Sequence, residues 1–207
     1  MEQIVSWSFN HIWEIFGAVS GFIFLILEVK ENVWLWPVGI LTSGLYIVVF
    51  LESKFYADMA LNVYYVVISL YGWYAWLYGK KQKNNGAEAT PLRVSRTPVY
   101  LWKYLFVAFL LMFLLMAWVL GRFTDSPVPI GDAFTTALSI VATWMLTRKY
   151  IEQWWLWVLV NGVSLGLYIW KGLYPTSILF FFYTTLAVVG YYQWQKSIEE
   201  KPLDSVS

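Results

Sequence analysis

The sequence has no cysteine, which excludes disulfides, thiol nucleophiles and cysteine-based metal sites. It has one histidine, His11, so no histidine cluster is available for a metal or for acid–base chemistry. Charged residues make up only 13% of the 207, against about 25% in a soluble domain. The net charge of +1 gives no basis for binding nucleic acid. No G-x-x-x-x-G-K-S/T phosphate loop is present, so ATP hydrolysis by that route is excluded. No cleavable signal peptide is expected, because the first apolar stretch lacks a basic n-region and a small-residue exit. No cofactor is implied by any motif.

What is abundant is apolar surface. Hydrophobic residues make up 59% of the chain and aromatics 21%. A soluble fold of this length has too little interior to hide them. A lipid bilayer removes that constraint, and a spanning helix needs roughly 20 mostly apolar residues. Seven such stretches are expected, over residues 12–27, 33–51, 56–78, 99–120, 130–146, 154–170 and 175–194. The fold class is therefore an all-α integral membrane protein. Lys80, Lys81, Lys83, Asn84, Asn85, Gly86 and Pro91 mark a polar loop between the third and fourth spans.

Charge sets the orientation. With the N-terminus outside, Lys30, Lys80, Lys81, Lys83, Arg93, Arg96, Lys103, Arg148, Lys149, Lys196 and Lys201 fall inside. Lys54, Arg122 and Lys171 fall outside. This split of 11 to 3 follows the positive-inside rule and predicts an N-out, C-in topology with an odd number of spans.

The halves of the chain resemble one another. Trp34-Leu35-Trp36, Gly44-Leu45-Tyr46, Tyr65, Gly72 and Trp76 recur in order as Trp155-Leu156-Trp157, Gly166-Leu167-Tyr168, Tyr183, Gly190 and Trp194. Aligned this way, the repeats differ by one insertion and one deletion. Each repeat is three helices, and the fourth helix has no counterpart. An odd connecting helix makes the repeats parallel, about an axis along the membrane normal. The domain plan is 12–79 for the first bundle, 80–98 for a cytoplasmic loop, 99–121 for a linker helix and 130–195 for the second bundle. Transporters with repeats place substrate between them near the midplane; the alternative is a duplication that built no site.

Polar residues inside the spans sharpen the expectation, since they are costly in lipid. Asn62, Tyr65, Ser69, Trp73 and Trp76 fall at i, i+3, i+7, i+11 and i+14, one helical stripe. Asn161, Ser164 and Tyr168 share a face in the sixth span, and Tyr183, Tyr191 and Trp194 share one in the seventh. Asp132, Thr135, Ser139, Thr143 and Thr147 line the fifth. Together they are expected to line a polar, aromatic cavity. For the fifth-span hydroxyls, packing and bonding to their own backbone is the competing reading. For Asn161, two readings stand: interhelical glue or ligand contact. Trp7, Trp13, Trp34, Trp102, Trp118 and Trp154 fit an interfacial belt. Trp36, Trp73, Trp157 and Trp194 lie deeper and are candidates for stacking on a flat ligand. Glu14, Glu28, Glu52, Asp58 and Asp132 map near helix ends, so proton coupling through a mid-membrane carboxylate is disfavoured. The same inventory disfavours an intramembrane enzyme. A retinal protein is excluded because the last span has no lysine before Lys196.

The run Tyr56-Ala-Asp-Met-Ala-Leu-Asn62, with Tyr65, Ser69 and Tyr71-Gly-Trp-Tyr-Ala-Trp76, resembles the PnuC family of vitamin transporters. So do Trp154-Trp-Leu-Trp157 with Asn161 and Tyr168, Lys171-Gly-Leu-Tyr-Pro-Thr176, and Tyr183 with Gly190-Tyr-Tyr-Gln-Trp194. The resemblance implies an architecture like that of SWEET sugar transporters. It implies facilitated diffusion of nicotinamide riboside across the bacterial cytoplasmic membrane, with trapping by a cytosolic kinase. Relatives in that family take thiamine or riboflavin. Position in the spans and membership of these motifs together give the expected site residues: Trp36, Asn62, Tyr65, Ser69, Trp73, Trp157, Asn161, Tyr168, Tyr183 and Trp194. A substrate-binding membrane subunit or receptor that needs a partner is the second reading. Small residues on exposed faces leave assembly into a homo-oligomer open.

Overall fold

Seven helices account for nearly all of residues 12–52, 56–81, 90–124, 127–172 and 174–200, which the structure, a computed structural model, describes. They are α1 Ile12–Val29, α2 Leu35–Glu52, α3 Tyr56–Tyr78, α4 Val99–Phe123, α5 Pro129–Thr147, α6 Gln153–Trp170 and α7 Tyr174–Glu200. His11, Lys54, Lys83, Asn84, Asn85, Gly86 and Lys201 lie outside the described residues. One correction concerns the loop after α3. Its ends pair as an antiparallel ladder, β1 Lys80–Lys81 against β2 Thr90–Pro91. The backbone of Leu92 also donates to Gly79 O at 3.0 Å.

Contacts divide the chain into two compact units, Met1–Tyr74 and Ala75–Ser207. In the first, α1 packs on α2, and the three helices converge at Gly39. A Cβ there would lie 3.1 Å from Phe24 of α1 and 3.1 Å from Ser69 Oγ of α3. In the second, α4 packs on α5, α5 on α6, and α6 on α7. Leu105, Val141 and Met145 form the seam between α4 and α5. Phe134 meets Phe109 and Phe113 edge-on at 5.7 and 6.3 Å.

α4 and α5 are each long and apolar enough to cross a bilayer. α4 has 25 residues, about 37 Å at 1.5 Å each, and is apolar on all sides. Phe106, Leu111 and Leu115 are among its exposed side chains. A helix apolar all round belongs in a core or in lipid, and α4 has little protein around it. α5 starts at Pro129, whose fixed φ suits a first helical position.

The helix boundaries recur at one separation. α1 and α5 end at Val29 and Thr147. α2 and α6 run from Leu35 and Gln153 to Glu52 and Trp170. α3 and α7 begin at Tyr56 and Tyr174; every pair is 118 residues apart. The turns recur too. Glu31 and Lys149 both take positive φ, 52° and 54°. Glu31 N bonds Glu28 O at 3.0 Å as Lys149 N bonds Leu146 O at 2.9 Å; Asn32 N bonds Leu27 O as Tyr150 N bonds Met145 O. This register pairs Trp36 with Trp154 and needs no insertion or deletion. The motif pairing of Trp36 with Trp157 differs because it matched tryptophan spacing alone, whereas each buried ring here is fixed by a glycine on the next helix.

Those glycines are Gly72 and Gly190. Trp36 and Trp154 are both 0% exposed. A Cβ at Gly72 would collide with the Trp36 ring, and one at Gly190 would lie 2.5 Å from Trp154 Cη2 and Cζ2. Only glycine lets each indole lie against the neighbouring helix backbone. Trp154 is therefore a core residue, which corrects its expected place in the interfacial belt. Trp34, Trp102 and Trp118 are exposed, as a belt requires.

Candidate functional site

The residues singled out in the sequence divide into three groups. The first is occupied by packing. Trp36 is enclosed against Gly72. Trp194 is also 0% exposed, edge-on to Trp154 at 5.5 Å and tilted against Trp76 at 6.4 Å. In this conformation neither ring offers a face to a ligand. Depth in the span suggested both; Gly72 encloses Trp36, and the rings of Trp154 and Trp76 flank Trp194.

The second group is the hydroxyl stripe of α5. Thr135 Oγ1 donates to Gly131 O and Asp132 O at 3.1 Å each. Ser139 Oγ donates to Thr135 O at 2.8 Å, Thr143 Oγ1 to Ser139 O at 2.8 Å and Thr147 Oγ1 to Trp144 O at 2.6 Å. Every hydroxyl is satisfied by its own helix, as membrane serines and threonines often are. The stripe packs and does not line a cavity with free donors.

The third group lies on α6 and behaves differently. Trp157, Asn161, Ser164 and Tyr168 fall at i, i+4, i+7 and i+11, so they share one face. Asn161 and Ser164 are each 8% exposed. Neither side chain has a hydrogen-bond partner among the described residues. Trp157 Nε1 is buried and has no partner either. Buried polar groups in native proteins are nearly always paired, and an orphan costs about 1–3 kcal/mol. Trp157 Nε1 is the fully enclosed one of the three, a status that Gln153 Oε1 and Trp154 Nε1 of the same helix share, and Asn161 and Ser164 follow it on the same face. Tyr168 sits at one end of this face, its ring 5.0 Å from Phe180 of α7, and Phe180 in turn meets Tyr183 at 5.8 Å.

In the first unit, the stripe on α3 is more nearly closed. Ser69 is 5% exposed and lies against Gly39. Asn62, Tyr65 and Trp73 are partly exposed, and Tyr65 rests on Tyr64 at 5.6 Å. At the separation of 118, Gly39 and Ser43 of α2 correspond to Trp157 and Asn161 of α6. Ser43 is itself 8% exposed and escaped notice in the sequence because a lone serine in a span has no distinguishing pattern. Glu28 was expected near the end of its helix, and it is there, but it is only 2% exposed. Its burial was not legible, because a carboxylate one turn from a helix end reads as solvated. No cluster of metal-binding side chains occurs among the described residues.

A family model described as nicotinamide mononucleotide transporter matches residues 11–196. The chain belongs to that family, the PnuC family of membrane transporters. It is a transporter family and not a family of enzymes. A curated relative, the nicotinamide riboside transporter PnuC of Escherichia coli, is 26% identical, over 91% of this chain and 87% of its own. The riboflavin/roseoflavin transporter RibM of Streptomyces davaonensis is 25% identical, over 93% and 89%. Among solved structures, the crystal structure of the vitamin B3 transporter PnuC matches with a TM-score of 0.70 at 24% identity. That match covers 96% of this chain and 87% of the other. The likeness establishes the fold: the seven helices of the described residues follow that of a PnuC transporter.

Proposed function

We propose that this chain carries nicotinamide riboside across the bacterial cytoplasmic membrane by facilitated diffusion. The observation that supports it is the unpaired polar face of α6. The nicotinamide head bears a primary carboxamide, whose donor and acceptor match those of Asn161. The ribose hydroxyls can accept from Trp157 Nε1 and exchange bonds with Ser164 Oγ. The pyridinium ring is a delocalised cation, and aromatic faces attract cations without a fixed carboxylate. Trp157, Tyr168 and Tyr183 supply such faces. Asn62, Tyr65, Ser69 and Trp73 are the corresponding candidates on α3. The carboxylates described on the helices lie in end turns: Glu28 in the last turn of α1, Asp132 in the first turn of α5, and Glu199 and Glu200 in the last turn of α7. An uncoupled carrier suits that placement. Phosphorylation by a cytosolic kinase would keep the gradient inward.

The recurrence at 118 residues supports two parallel three-helix repeats, residues 12–79 and 130–195, joined through the loop 80–98 and the linker helix 99–121. The cation distribution supports an N-out, C-in topology. The test is purified protein in liposomes. Labelled nicotinamide riboside should enter down its gradient without an ion gradient. Asn161→Leu should weaken binding about 10- to 100-fold, the loss of two buried hydrogen bonds, with thermal unfolding unchanged. Tight riboflavin or thiamine binding without nicotinamide riboside binding would refute the substrate. Unchanged affinity in Asn161→Leu would refute the site.

A further inference from the structure

One end of the second unit gathers groups that transport does not use. Gly79 O, the α5–α6 turn and the segment 92–98 meet there. Ser95 N donates to Lys149 O at 3.0 Å and Ile151 N to Ser95 O at 3.1 Å. Thr97 donates twice to Glu152 Oε2, from its backbone N at 2.8 Å and its hydroxyl at 2.7 Å. This clasp engages the carboxylate of Glu152. Lys149 folds inward, its Nζ 4.3 Å from the centre of the Trp76 ring.

The remaining cations face outward. Arg93, Arg96, Lys103 and Arg148 are all exposed. Arg93 and Arg96 have no ion-pair partner among the described residues. Aromatic rings stand between them. Tyr100 and Tyr104 are largely exposed, and Lys103 Nζ lies 4.9 Å from the Tyr104 ring. The Arg148 guanidinium lies 5.7 Å from the Trp144 ring, which tilts against Tyr150 at 6.3 Å. Burial raises the Tyr150 phenol above its ordinary pKa; Arg148 opposes the rise, and Tyr100 and Glu152 add to it. Tyr100, Arg148 and Tyr150 therefore share one neighbourhood. Directly along α4 follow exposed Phe106, Val107, Leu111 and Leu115.

Cations, then tyrosine and tryptophan, then bare apolar helix is the order of a phospholipid: phosphate, glycerol level, acyl chain. An acidic peptide or nucleic acid would match the cations but would leave the adjoining apolar surface of α4 uncovered. We propose that Arg96, Lys103 and Arg148, with the start of α4 and the α5–α6 turn, form a binding site for anionic phospholipid. The orientation proposed above makes this the cytoplasmic leaflet; the site itself does not depend on it.

The experiment is native mass spectrometry of the full chain with phosphatidylglycerol or phosphatidylcholine at matched concentration. The wild type should retain phosphatidylglycerol in preference. The preference should fall at least fivefold in the double variant Arg96→Gln, Arg148→Gln, given what each cation contributes at an anionic surface. Arg122→Gln, an exposed cation at the other end of α4, should keep it. Arg96→Gln with Lys103→Gln replaces the first pair if that variant does not fold. No preference in the wild type overturns the proposal. So does full retention in the double variant, an equal loss in Arg122→Gln, or displacement of the lipid by millimolar inorganic phosphate. The readout needs neither substrate nor a sided membrane, so its failure is separate from any failure of the transport reading.

Discussion

Replacing Gly190 by alanine tests whether the buried indole is held by the absence of a side chain. The new Cβ would lie 2.5 Å from Trp154 Cη2 and Cζ2 and 2.7 Å from Cε2. Carbon atoms prefer about 3.5–4.0 Å, so three ring atoms overlap it by about 1 Å. The ring has little room to yield: Trp154 and Trp194, edge-on to each other, are both 0% exposed. Overpacking of this kind costs about 1–3 kcal/mol, and the upper end applies where the obstacle is a rigid ring. Alanine recovers about 1 kcal/mol over glycine in a helix. The net expectation is a loss of about 2 kcal/mol, or roughly 4–8 °C in unfolding temperature for a chain of this size. Gly162 is the control, because a Cβ there meets nothing within 4 Å. Gly162→Ala should gain about 1 kcal/mol. Circular dichroism on heating, at one scan rate in detergent, ranks the three proteins. Adding Trp154→Phe to Gly190→Ala should recover part of the loss, since the six-membered portion of the indole is what the Cβ strikes. The reasoning fails if Gly190→Ala stabilises as much as Gly162→Ala.

Trp157→Phe removes a buried donor that has no partner. Unfolding temperature should stay level or rise slightly, because the orphan cost of about 1–3 kcal/mol offsets the smaller ring, while affinity for nicotinamide riboside falls about fivefold or more. Equilibrium binding and heating on the same preparation separate the two effects; a large stability loss with unchanged affinity would make Trp157 a packing residue. Thr143→Val swaps a hydroxyl bonded to Ser139 O for a methyl of similar size. Stability should shift by about 1 kcal/mol at most and affinity should not change. A tenfold loss of affinity would return the α5 stripe to the site.

The helices were legible because lipid and packing demand long apolar runs, and few alternatives exist for such runs. The expected third span and α3 coincide at Tyr56 and Tyr78. α7 runs on to Glu200, past the expected end at Trp194. Hydropathy stops where the bilayer stops, but helicity does not. Residues beyond Trp194 are good helix formers, and Gln195 Nε2 bonds Glu199 Oε1 at 3.0 Å. The ladder between Lys80–Lys81 and Thr90–Pro91 left no pattern, since two residues per strand are too few for one. The α6 face was visible as a spacing, but whether its groups were paired was not. The α5 stripe of Thr135, Ser139, Thr143 and Thr147 has the same look in sequence, and those hydroxyls are satisfied within the helix. The buried tryptophans had a usable signal that depth obscured. Trp36 and Gly72, and Trp154 and Gly190, are separated by the same interval in the chain.

That interval bears on how two repeats, as proposed above, would come to differ in the proposed site. Both halves keep what holds three helices together: the glycine under the indole and the turn with a positive φ at Glu31 and Lys149. They part company one turn into the middle helix. The first half has Gly39, against which Phe24 and Ser69 both pack and fill the space. The second has Trp157, then Asn161 where the first has Ser43. A serine can satisfy itself on its own helix; an asparagine in mid-span reaches further and has four bonding positions to fill. The substitution therefore costs stability unless something else completes the bonds. In the proposed site, a cargo with a carboxamide would do so while bound and restore the deficit on leaving. That keeps binding modest, which a carrier that must release its load requires.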